Sequence, residues 1–127
     1  MSDRYYAHLA RHGHVVCVDG YEPWALTQAG SAMLRIVDGG ECRLIPFATI
    51  IDAGYSVQDS GEVGQLVITC AERMIRVTGN GLQGLAAALQ HGQVDVVRVW
   101  DPADYPDTSV VPYPRVSHVA VMRRGKV

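Results

Sequence analysis

The chain has 127 residues, 48% hydrophobic and 19% charged, which suits one domain with a real core and does not suit wholesale disorder. A formal charge of -2 argues against a nucleic-acid partner, because phosphate backbones select a basic excess, and no apolar run reaches the roughly 20 residues of a membrane-crossing helix. Cys17, Cys42 and Cys70 are odd in number, widely spaced and set in strand-like runs; with no apolar h-region over residues 1–6, this pattern predicts free thiols in a reducing cytoplasm.

In chain order, residues 3–12 read as a short helix or a frayed arm, and residues 14–18 as a strand. Residues 19–23 are turn chemistry, with Pro23 suited to the first position of a brief helix through Trp24 and Leu26. Residues 32–37 and 41–47 flank Asp38-Gly39-Gly40, a hairpin turn in which at least one glycine needs positive φ. Pro46 cannot donate to a ladder, so the second of these strands belongs at an edge or a bulge. Residues 48–53 continue apolar, end at Asp52 and turn at Gly54; residues 56–64 form a polar connector.

The stretch from Gln65 to Trp100 carries the strongest pattern. Residues 66–70 and 74–78 are β-branched runs at hairpin spacing. Asn80 is placed to cap a helix over 81–91, whose apolar stripe is Leu82, Leu85, Ala86 and Leu89. His91 suits the helix C-terminus, Gly92 suits the residue after it, and 94–100 returns as a strand. Four prolines then make 101–114 an extended connector, and residues 115–122 form a C-terminal strand. The expected fold is therefore α+β, a single domain over residues 1–127. It has a mostly antiparallel sheet or small open barrel of six to seven strands, with one packed helix over 81–91.

Candidate chemistry is sparse. His12 and His14 place two imidazoles on one side of an extended segment, a spacing used in metal sites, but a third ligand from His8, His91 or His118 is needed. The plainer reading is two exposed histidines at a strand entrance. Asp52 closes an apolar run and is the acid best placed for partial burial, with a turn-forming role as the alternative. Asp101, Asp104 and Asp107 among prolines read as a loop with Asx turns. Gly79-x-Gly81-x-x-Gly84 has the letters of a dinucleotide fingerprint but lacks the parallel strand–helix–strand unit that gives them meaning. Trp24 and Tyr105 are the aromatic candidates for ligand contact, packing being the plainer role for Trp24.

Two function classes stay open. The preferred one is a non-enzymatic binding or interaction domain, self-associating and holding a small apolar ligand, with no cofactor, nucleic acid or membrane partner. The other is a small metal-dependent or acid–base enzyme using His12, His14 and Asp52, with catalysis at Asp52 and His14. The C-terminal strand is apolar on both faces and sits on a long connector, which predicts a homodimer. Its interface comprises Val116, His118, Val119, Val121 and Met122, with Arg123 and Arg124 at the rim. The rival is that this strand folds back onto its own sheet.

Overall fold

The computed structural model describes residues 20–27, 32–57, 63–104 and 111–124. Their elements are β1 (Trp24–Leu26), β2 (Met33–Asp38), β3 (Glu41–Pro46), a 3-10 turn (Phe47–Thr49), β4 (Ile50–Val57), β5 (Gly64–Cys70) and β6 (Arg73–Asn80). Helix α1 (Gln83–Gln90), β7 (Val94–Arg98), a second 3-10 turn (Pro102–Asp104) and β8 (Arg115–Arg123) complete them.

The class is α+β, but the strands form two four-stranded sheets rather than one sheet of six or seven. The first has the order β1-β7-β2-β3 and the second β4-β5-β6-β8. Among the described strands only β2 and β7 run parallel; the remaining pairs are antiparallel. The switch between sheets takes the three residues Phe47–Thr49, tied by the Phe47 N–H donating to the Ala32 carbonyl at 3.0 Å. So short a crossing leaves no mark in an apolar run, which is why residues on either side of it read as one sheet.

Other differences have local causes. Residues 24–26 are a strand, not a helix, because antiparallel pairing of Trp24 with Val97 outweighs what Pro23 favours. The chain does not turn at Gly54; β4 runs on to Val57 against β5. Asn80 is not the helix cap. It ends β6, its Oδ1 accepts from the Arg115 guanidinium at 3.1 Å, and Leu82 takes the cap position without a side-chain bond.

The β2–β3 and β5–β6 hairpins form where the sequence places them, and Gly39 adopts φ +60 in the first turn. Pro46 lies on β3, an edge strand. Gly92 follows the helix at φ +63, as a C-terminal glycine should.

One core lies between the sheets. Leu34, Ile36 and Ile45 meet Leu66, Ile68, Ile75 and Val77, while Leu82, Leu85 and Ala88 bring the helix onto them. Leu85 is fully buried, so its truncation belongs in the roughly 2–5 kcal/mol class of core leucines. β8 pairs along β6 of its own chain from Arg73↔Arg123 to Asn80↔Arg115, and Val116 and Val119 join the core. The C-terminal strand thus takes the folded-back arrangement. Its approach requires Gly79, because a Cβ there would run into the Arg115 carbonyl. Tyr21 closes this end: its buried hydroxyl donates to the Arg98 carbonyl at 3.0 Å and accepts the Val116 N–H at 3.1 Å, joining β7 to β8.

Candidate functional site

At the opposite end of β6 and β8 the inter-sheet space is open. Alternation fixes which side chains face it. Ile45 shares the inner face of β3 with Arg43, and Cys70 shares that of β5 with Leu66 and Ile68. On β6, Arg73 has the parity of buried Ile75 and Val77; on β8, Arg123 has that of Val119 and Val121. The core therefore ends at Ile45 and Cys70, each 4% exposed, and past it the inner faces carry Arg43 on β3, Arg73 on β6 and Arg123 on β8.

A cleft of about 310 Å³ occupies this end. Its walls are Leu44, Ile45 and Pro46 from the edge strand β3, Thr49 from the crossing turn, and Cys70, Ala71, Glu72 and Arg73 from the β5–β6 hairpin. The Ala71 N–H donates to the Thr49 carbonyl at 3.1 Å and so holds the hairpin against the crossing. Thr49 Oγ1 donates to the Pro46 carbonyl at 2.7 Å and fixes the crossing itself. Arg124 clamps the hairpin from the far side. Its Nη1 donates to the carbonyls of Cys70 (3.1 Å) and Ala71 (3.4 Å), and its backbone N–H to that of Glu72 (3.0 Å).

The floor is neutral. Burial pushes the Cys70 thiol above its ordinary range, with the Thr49 hydroxyl and the Arg73 charge drawing it partly back. Burial thus disfavours the thiolate of Cys70. The arrangement can enclose the apolar body of a small molecule, and its walls carry the Glu72 carboxylate and the Arg73 guanidinium.

The residues singled out from the sequence do not converge here. Asp52 is exposed on β4, without the partial burial expected of it, and does not line the cleft. His12, His14 and Tyr105 lie outside the described residues, as do His8 and Asp107. Among the described residues no three His, Cys, Asp or Glu side chains are grouped to hold a metal ion. Trp24 packs against the core, with its ring over Gly84 of α1. Asp101 accepts the Ala103 N–H at 2.9 Å in an Asx turn. Gly79, Gly81 and Gly84 serve the β8 approach, a φ of +69 and the Trp24 contact. Of the five residues assigned to a dimer interface, Val116 and Val119 are committed to this chain's own core, while His118 is exposed and Val121 and Met122 are half-buried.

The chain matches no protein-family model, no curated protein and no solved structure.

Proposed function

We propose that this is a non-enzymatic binding domain whose ligand is a small molecule with an apolar body, held in the cleft between β3 and the β5–β6 hairpin. The observation that carries the reading is the cleft itself. Its volume of about 310 Å³ is at the small end of ligand sites, its walls are mainly apolar, and its few polar groups converge from three elements. Exposed Leu44, 55% accessible on the wall, is the kind of surface side chain that a bound apolar body would cover. Free thiols at Cys42 and Cys70 support a reducing cytoplasm as its setting.

The test is an amide chemical-shift titration with octanamide, a neutral amphiphile. Shifts should cluster at residues 44–49 and 70–73, and Leu44→Asp should abolish them while the remaining spectrum keeps its dispersion. Shifts scattered over the surface, or none, overturn the reading.

Self-association belongs to the same proposal. One edge of β8 pairs with β6, and the other pairs with no strand among the described residues, so a second copy can extend the sheet there through His118, Val121 and Met122. Light scattering at micromolar concentration should give a dimer; a monomer discards the homodimer and leaves the ligand reading intact.

A further inference from the structure

Arg73, on the wall of the cleft, and Arg123, its partner in the β6–β8 ladder, are placed in a way that folding alone does not reward. Arg73 and Arg123 are directly opposite in the β6–β8 ladder, so their side chains leave the same face of the sheet side by side. Like charges in that position destabilise a sheet. Among the described residues neither guanidinium has an ion pair: Glu72, in the adjacent turn, is not within bonding distance, and Glu41 lies 3.9 Å from Arg43 instead. Arg124 does not share their situation, because its guanidinium is used on the Cys70 and Ala71 carbonyls. Arg73 lines the cleft, and its charge is felt by the Cys70 thiol on the floor. The Arg73 charge therefore acts on the cleft and not only on bulk solvent.

We infer that the ligand of this cleft is a small amphiphilic carboxylic acid whose carboxylate lies between Arg73 and Arg123 and whose apolar tail lies against Leu44, Ile45, Pro46 and Ala71. This rests on the cleft being a ligand site. The chemistry sets the orientation. The floor is apolar and closed by a neutral thiol, so an ionised group cannot go there without losing its hydration uncompensated. Arg73 on the wall and Arg123 opposite it in the ladder offer two planar donor forks suited to a carboxylate, and a bound anion removes the repulsion between them. An acid is thus selected over its neutral analogue by the head, and a short tail over a bulky one by the volume available.

The experiment compares octanoate with octanamide on the full chain by amide chemical shifts, in wild type and in three variants. Wild type should bind octanoate about tenfold or more tighter than octanamide, with both shifting residues 44–49 and 70–73. Arg73→Gln and Arg123→Gln should each reduce that preference to about threefold or less, and Arg43→Gln, whose arginine is paired with Glu41, should leave it in place. Equal binding of acid and amide at the cleft overturns the carboxylate and leaves the site standing. A preference that survives both Arg73→Gln and Arg123→Gln overturns the role of the pair. No shift from either compound overturns the site, and the inference with it.

Discussion

The two ends of β8 solve the same problem in opposite ways. Near Val116 the space between the sheets is shut: Tyr21 bridges the Arg98 carbonyl and the Val116 N–H, the Trp100 N–H donates to the Val116 carbonyl at 2.9 Å, and Arg115 stacks over the Trp100 ring at 5.9 Å. Near Arg123 it is open, with like charges opposed across the ladder and an apolar floor beneath them. Fold stability rewards the first arrangement and opposes the second. Where a sequence retains a locally unfavourable pair next to a cavity, a bound partner is the natural place to look for what offsets it.

That contrast breaks most sharply at Tyr21. Tyr21→Phe keeps the ring in its buried position but removes the hydroxyl, leaving the Val116 N–H and the Arg98 carbonyl without that partner. The expected loss is about 1–3 kcal/mol in urea denaturation, the range for orphaning buried polar groups. A loss below about 0.5 kcal/mol, the scale of ordinary surface changes, means water replaces the hydroxyl and the end is not sealed as described.

The floor of the open end is probed by alkali. Cys70 has its thiol raised by burial, so its thiolate is disfavoured in the folded state. The sign follows directly. A group whose folded value is raised contributes stability that is full below its unfolded value, and that stability is lost as pH rises through the folded one. Unfolding stability should fall over the window above pH about 8.5, and Cys70→Ala should remove that component. Tyr55 and Tyr113 are also raised, Tyr55 by burial and the nearby Tyr113, Tyr113 by burial, but their loss begins higher, near about pH 10. In the folded protein at pH about 8, iodoacetamide should label exposed Cys42 about tenfold or more faster than Cys70, read by peptide mass spectrometry. Equal rates mean the cleft floor is not closed.

How much of this was legible from residues follows from range. The β2–β3 and β5–β6 hairpins and the helix were readable because their signals, Gly39-Gly40, the runs around Ala71-Glu72 and the Leu82–Leu85 spacing, lie within a few residues of one another. The division into two sheets was not, since it depends on a three-residue crossing and on β7 lying between β1 and β2. The helix expected after Pro23 failed because pairing with β7, some seventy positions away, decided the matter. The cleft was hidden for the same reason. Cys70 was visible as a thiol in a strand, but its meeting with Leu44, Pro46 and Thr49 is a tertiary event. Arg73 and Arg123 become a pair only once the β6–β8 register is known.

The smallest effect is the most discriminating. Arg123→Gln removes one of two opposed guanidinium groups while keeping a side chain of similar length that can still hydrogen-bond. Because Arg123 is exposed and has no ion pair among the described residues, nothing stabilising is lost with its charge. Stability should rise by a few tenths of a kcal/mol, within the roughly 0.2–1 kcal/mol scale of cross-strand pairs. The gain should shrink as salt is raised, since exposed charges are screened over about 10 Å at 0.1 M. Arg73→Gln should give a similar gain, and the double variant little more than either, because both relieve one repulsion. No residue at the Tyr21 end should behave this way; there, truncation costs. If Arg123→Gln instead destabilises the chain by about 1 kcal/mol or more in urea at low salt, Arg123 makes a stabilising contact, and the argument that the open end is held at the expense of the fold is wrong.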